Sequence, residues 1–354
     1  MPKYAILYHP GHNRVYYEAS LKLSLSEFGI VAHRLSTAYG EARHEDIGGI
    51  DYLTFQTESA LSESDVDILS DLSFAYALYK ISDGDGTVYL QPIRKTGENF
   101  IDESMGTILK YTGKTNELFT RMMINVAYYS LDAQAGRTKS RKGVALLDPL
   151  AGKGTTLYEG LIKGFDVYGI EISDNLVNEA YHYVKRYLET ARYKFGHEAI
   201  KLAGPNKSYM ALKHTFTTAK TKEDLKRKDT RTIEFIAGDA LYAADYYKNN
   251  TFAMIVGDLP YGVQHGNITK NKQTALTRNP KELLLACLPA WLAVLKPQGV
   301  MVLAWNSNVL PRSEMEGLFA DKQATVINDG YYAQFAHRVD QSIERDIIVA
   351  RKTR

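Results

Sequence analysis

Leu146-Leu147-Asp148-Pro149-Leu150-Ala151-Gly152-Lys153-Gly154-Thr155-Thr156 is the stretch that decides the architecture. Within a few residues an apolar run gives way to a Gly-rich turn and then to residues able to open a helix. The spacing therefore predicts the C-terminal tip of a buried strand, the edge at which open α/β sheets bind ligands. About a hundred residues later Val256-Gly257-Asp258-Leu259-Pro260-Tyr261-Gly262 shows the same transition. One tip suits a cofactor and the other a substrate.

The alternation of strand, turn and helix recurs on both sides of these tips. Gly143–Asp148 and Asp166–Glu171 read as the first two strands, with Thr156–Lys163 as the helix between them and a second helix over about Ser173–Arg192. Thr232–Gly238, Phe252–Gly257 and Gly299–Trp305 read as the third, fourth and fifth strands. The fifth follows an apolar helix, Glu282–Leu295, and the stop signal Lys296-Pro297-Gln298-Gly299. Ala324–Ile327 and Asp346–Ala350 supply two more strands as a hairpin. The expectation is α/β: a seven-stranded, mostly parallel sheet with helices on both faces, spanning 143–354. Residues 1–95 read as a smaller α+β domain suited to substrate recognition, with apolar runs at Tyr4–Tyr8, Tyr52–Phe55, Phe74–Ile81 and Val88–Leu90. Residues 96–142 read as a helical connector packing on the cofactor edge, whose apolar face must be buried.

The 354 residues are 45% hydrophobic and 24% charged, with a net charge of +2, so nothing global forces a polyanionic partner. The N-terminus lacks a signal-peptide pattern, and the apolar stretch Leu283–Leu295 is too short to span a bilayer; a cytoplasmic protein with no membrane association is expected. The single cysteine, Cys287, excludes an internal disulfide and a multi-cysteine zinc site, and its apolar neighbours mark it as a core residue; no metal is expected. One segment stands out by local charge. Between Lys185 and Arg231 there are 13 Lys/Arg against 5 Asp/Glu, interleaved with Tyr187, Tyr193, Phe195, Tyr209 and Phe216. It is either a solvated insertion, near 193–231, or a surface that grips phosphates and stacks on bases. Over residues 1–95 the balance reverses, with 8 Lys/Arg and 13 Asp/Glu.

The glycines at 152 and 154 let backbone approach a ligand that a Cβ would block. A dinucleotide fingerprint fails because Leu157 stands where a third glycine is required, and a phosphate-binding P-loop fails because Leu147 stands where its first glycine belongs. Nineteen residues after Gly152 the second strand ends in Glu171, followed by Ile172, a spacing that suits the two hydroxyls of a ribose. Alone, a strand-end glutamate is a turn or cap residue. Asp239 and Ala240 end the third strand, where an adenine amino group and ring nitrogen would be met. At the fourth tip, Asp258 and the Leu259 carbonyl can accept the N–H bonds of an exocyclic amine, turning its lone pair toward an electrophile. Pro260 fixes the turn, and Tyr261 offers a face to a flipped-out base.

With these residues in view, the chain resembles class I S-adenosylmethionine-dependent methyltransferases. Motif I is Asp148-Pro149-Leu150-Ala151-Gly152-Lys153-Gly154-Thr155, and the amino-methyltransferase motif is Asp258-Leu259-Pro260-Tyr261. Within that class it is similar to the Trm11-type RNA methylases, close to the THUMP-containing guanosine-N2 tRNA methyltransferases. That likeness rests on Gly113-Lys114-Thr115-Asn116-Glu117-Leu118-Phe119-Thr120, on Asp258–Val263 and on Phe335-Ala336-His337-Arg338-Val339-Asp340, and covers about residues 100–354. It departs in Leu259, where the family has proline, and no THUMP domain is traceable in 1–95.

The resemblance implies a Rossmann-like fold and S-adenosylmethionine across the first three tips. Asp148, Pro149, Gly152, Gly154 and Thr155 would lie at the methionine part, Glu171 and Ile172 at the ribose, and Asp239 and Ala240 at the adenine. Thr115, Asn116 and Phe119 would form a second wall, and Asp258, Leu259, Pro260 and Tyr261 would hold the base. The implied reaction is N-methylation of a nucleobase amine in RNA, guanosine N2 in tRNA. The alternatives are adenine N6 in DNA, a glutamine amide in protein, or an RNA-binding protein that kept the fold without the activity. A nicotinamide oxidoreductase is opposed by Leu157.

Overall fold

The computed structural model describes residues 1–10, 14–97, 99–109, 114–132, 141–261, 279–320 and 322–353. The chain divides into two compact units, Met1–Glu98 with Asn328–Arg345, and Asn99–Ile327 with Asp346–Arg354.

The first unit is built on an antiparallel sheet of β1 (Lys3–Tyr8), β2 (Arg43–Asp46), β3 (Asp51–Gln56), β4 (Ala75–Gly84) and β5 (Thr87–Ile93), in the order β2-β3-β1-β4-β5. β1 is central because Tyr4, Ile6 and Tyr8 alternate inward and are all nearly fully buried. Phe28 of helix α1 (Arg14–Ala32) packs on Phe55 of β3, with ring centroids 4.9 Å apart. The four apolar runs of the sequence fall on β1, β3, β4 and β5. β2 left no such signal, because Arg43-His44-Glu45-Asp46 is polar throughout, the composition that protects a sheet edge. Helix α2 (Glu63–Ser70) opens with a capping box in which Ser62 and Asp65 satisfy each other's backbone N–H.

In the second unit the predicted strands appear as β6 (Ala145–Asp148), β7 (Asp166–Glu171), β10 (Arg231–Ala237), β11 (Phe252–Asp258), β12 (Leu295–Asn306), β13 (Ala324–Ile327) and β15 (Glu344–Lys352). Pairings β6–β7, β7–β10, β6–β11 and β11–β12 are parallel, so these strands end on one edge, while β13 and β15 pair antiparallel. Leu146, Leu147 and Phe252 through Val256 are fully buried, as expected of strands covered on both faces. The sheet is larger than the seven strands expected. With β8 (Lys194–Ala203) and β9 (Met210–Ala219) added, its order is β13-β15-β12-β11-β6-β7-β10-β9-β8, and the short β14 (His337–Arg338) pairs with β15. The basic insertion is thus folded: β8 and β9 form a hairpin on the edge left open by β10. The stop signal before the fifth strand is instead a bulge within β12, where Phe252 pairs with Leu295 but Met254 pairs with Val300.

Helices α5 (Thr155–Ile162) and α6 (Asp174–Thr190) follow β6 and β7, and α7 (Pro280–Val294) precedes β12. Gly160 lets α5 sit against the sheet, since a Cβ there would lie 2.7 Å from Val167. The connector contributes α3 (Ser104–Thr107) and α4 (Glu117–Ser130), the latter buried from Phe119 to Ser130 except at Arg121. No helix among the described residues is long and apolar enough to cross a membrane, and Cys287 is buried in the core.

Candidate active site

Parallel pairing brings Asp148, Glu171, the Gly238-Asp239 turn and Asp258 to one edge of the sheet. Asp148 is 3% exposed, and its Oδ1 accepts the Leu150 N–H at 3.0 Å. Gly257, on the neighbouring strand, lies beside it: a Cβ there would stand in ordinary van der Waals contact, 3.4 Å from that oxygen. Burial pushes the Asp148 carboxyl up to about 7; hydrogen bonds from Thr156 and the Leu150 N–H oppose the rise, and the charges of Asp258 and Glu171 add to it.

The loop after β6 is held by Ala151 N–H on the Ile170 carbonyl at 2.9 Å and by Gly152 N–H on Glu171 Oε2 at 3.0 Å. The other Glu171 oxygen accepts the Ser173 N–H at 2.9 Å. Burial raises the Glu171 carboxyl above its ordinary range, and these backbone donors oppose the rise. The two loop glycines do different things. Gly152 has φ 53° and no atom within 4 Å of a hypothetical Cβ, so it faces open space. Gly154 has φ 94° and its Cβ would stand 2.9 Å from Tyr158 and 3.1 Å from Phe235, so its bareness serves packing. Pro149 and Thr155 are buried beside them, whereas Ile172 is 52% exposed. At the third tip Asp239 Oδ1 accepts the Leu241 N–H at 2.9 Å, and the carbonyl of buried Ala240 accepts Trp291 Nε1–H at 3.2 Å.

At the fourth tip the Thr115 hydroxyl donates to Asp258 Oδ2 at 2.8 Å and the Tyr261 hydroxyl to Oδ1 at 2.6 Å. The Leu259 N–H donates to the Ala304 carbonyl at 2.8 Å, which ties the turn to β12. Leu259 itself is 2% exposed and joins the core cluster with Ile255 and Leu284, so hydrophobic burial holds the turn where a second proline ring would otherwise do so. Of the second-wall residues, Thr115 meets Asp258. Asn116 caps α4 by accepting the N–H groups of Leu118 and Phe119, and Phe119 is fully buried. Gly113, Gly262 and Val263 lie outside the described residues.

Sequence reasoning passed over Asn306. It ends β12, is fully buried, and donates through Nδ2 to the Tyr261 carbonyl at 3.3 Å. The signal was present: Trp305-Asn306-Ser307-Asn308 is the same apolar-to-polar change that marks the other tips.

Asp148, Glu171 and Asp258 share the sheet edge at which Gly152 faces open space, and the parallel core with this ligand edge defines the class: a Rossmann-like class I methyltransferase. Residues 133–324 match the UPF0020 family model, described as RMKL-like, methyltransferase domain, and the chain belongs to that family. No curated protein matches it in sequence. Among solved structures it is similar to an rRNA methylase from Streptococcus thermophilus, at 11% identity over 68% of this chain and 99% of that one, TM-score 0.35. A methyltransferase homolog from Pyrococcus horikoshii aligns at 12% identity over 99% and 87%, TM-score 0.36. Magnesium protoporphyrin IX methyltransferase from Synechocystis, solved with bound S-adenosylmethionine, aligns at 14% over 69% and 87%, TM-score 0.37.

Proposed function

We propose that the protein methylates an exocyclic amino nitrogen of a nucleobase in RNA, with guanosine N2 in tRNA as the specific target. The observation that carries this reading is Asp258, whose two oxygens accept from Thr115 and Tyr261 at the same sheet edge as the open space at Gly152. A carboxylate already acting as a double acceptor, beside a main-chain carbonyl at Leu259, matches what an amine with two N–H bonds asks of its site. When bound, S-adenosylmethionine supplies a methyl group made electrophilic by its sulfonium.

In this reading Gly152, Gly154, Pro149 and Thr155 border the methionine part of the cofactor, Glu171 and Ile172 the ribose, and Asp239 and Ala240 the adenine. Asp148, sealed beneath that loop, accepts the Leu150 N–H and so helps to shape the border. Asp258 and the Leu259 carbonyl accept the amine N–H bonds and so aim its lone pair at the methyl carbon, Tyr261 lies against the base, and Pro260 keeps the turn in register. Thr115 orients Asp258, while Asn116 and Phe119 act through the start of α4. Asp258 would also offset the positive charge that grows on nitrogen as its bond to the methyl carbon forms and that carbon's bond to sulfur breaks, the surplus N–H proton then passing to solvent.

Incubation with labelled cofactor and separate pools of tRNA, rRNA, DNA and protein, followed by nucleoside analysis, tests the reading. Label in N2-methylguanosine from tRNA is the expected result. Label found only in DNA or only in protein overturns the RNA assignment.

A further inference from the structure

The hairpin that enlarges the sheet carries a charge pattern with a use. Over its strands and turn, Lys194–Ala219, the sequence has four lysines against one acid, Glu198, and the tip from Ala199 to Tyr209 has Lys201 and Lys207 with no Asp or Glu. Ala237, the last residue of β10, pairs with Leu212, while the hairpin continues through the pairs Leu202–Ala211 and Ala203–Met210. Its tip therefore runs past the end of β10, at the same edge as Asp239 and Asp258. The overhang is anchored. A Cβ at Gly204 would stand 2.6 Å from the Tyr209 ring, so the glycine gives that ring its seat. Tyr209 in turn lies 4.7 Å from Tyr242 and 5.2 Å from Tyr246, a few residues beyond the Asp239-Ala240 tip.

What the arm offers is mainly charge. Phe216 is fully buried and Tyr187 is 8% exposed, so these two rings, which from sequence looked available for stacking, are spent on packing. Lys213 is half-buried with its Nζ 3.7 Å from Glu234. Lys201 and Lys207 are exposed, and Lys207 holds φ 58°, an uncommon backbone conformation for a side chain of its size.

We propose that the tip of the β8–β9 hairpin, through Lys201 and Lys207, grips the phosphate backbone of the RNA whose base is presented to Asp258. This rests on the RNA reading above. Five strand spacings of about 4.8 Å put β8, the strand of Lys201, about 24 Å from β11, the span of several nucleotides at roughly 3.4 Å of rise each. The arm thus holds flanking nucleotides and leaves the target base to Asp258.

The test compares the full-length protein with Lys201→Gln/Lys207→Gln, and with Lys322→Gln as a control, an exposed lysine next to β13 at the opposite edge of the sheet. Filter binding of bulk tRNA over a salt series should show a log–log slope shallower by about one for each arm lysine removed. KM for tRNA should rise several-fold, with kcat and cofactor affinity unchanged. An unaltered slope in the arm variant, or an equal loss in the control, overturns the proposal. If the wild type labels tRNA while the arm variant matches it, the arm alone is wrong; if the wild type neither binds nor labels tRNA, both readings fall.

Discussion

Asp258 and Asp148 both stand at strand tips, and their surroundings give them different tasks. Asp258 is met by two hydroxyls and is half-buried, whereas Asp148 is almost sealed. Asp258→Ala removes the acceptor without opening the glycine loop, so methyl transfer should fall by at least about a thousandfold while cofactor affinity in calorimetry stays nearly unchanged. Equal loss of both would make the residue structural. For Asp148 the expectation concerns pH. Its carboxyl rises from 3.8 to about 7 on folding, so folding takes up a proton between those values. Stability therefore declines as pH increases through that window and stays reduced above it. Asp148→Asn should gain about 2–4 kcal/mol over the wild type at pH 8 and almost nothing near pH 4. Parallel melting-temperature profiles for the two proteins would contradict the shifted carboxyl.

The two loop glycines let folding and binding be separated within one turn. Gly154→Ala forces a Cβ into Tyr158 and Phe235 at positive φ and should cost about 2–4 kcal/mol. Gly152→Ala carries only the left-handed backbone term, about 1 kcal/mol, but places a methyl in the open space, so cofactor affinity should drop about tenfold or more. Calorimetric melting and cofactor titration on both variants decide it; similar losses of both properties in each would remove the distinction. The core strands and their tips were legible because each couples an apolar run to a turn carrying glycine, proline or an acid. β2 was not, since an edge strand of Arg43-His44-Glu45-Asp46 has no buried face to advertise. The β8–β9 hairpin was hidden for a related reason: β8 is the sheet's free edge strand, and exposed, charged positions along it mask strand periodicity. Thr115 was expected in the second wall of the candidate site, but its meeting with Asp258 across 143 positions in sequence was not legible.

Long-range assembly was the least legible feature, and residues 328–345 show why. They lie between β13 and the greater part of β15, yet they belong to the N-terminal unit. Three residues of α1 receive this segment: Lys22 Nζ donates to the Ala336 carbonyl at 2.8 Å, Ser26 Oγ to the Gln334 carbonyl at 3.4 Å, and Gly29 lies under the Tyr331 ring. Positions 22, 26 and 29 share one helix face, but a lysine, a serine and a glycine make no apolar stripe, so nothing in the sequence marked that face as covered. Gly29 supplies the decisive test. In a helix interior alanine is favoured over glycine by about 0.5–1 kcal/mol, so Gly29→Ala should stabilise a bare helix. Here the added Cβ would stand 2.2 Å from the Tyr331 ring, and displacing that ring should cost about 1–3 kcal/mol, which exceeds the propensity gain. A lowered melting temperature for Gly29→Ala is expected, and in Gly29→Ala/Tyr331→Ala the penalty of the first change should disappear, as a coupling energy between contacting residues requires. If Gly29→Ala instead raises the melting temperature, residues 328–345 do not pack on α1.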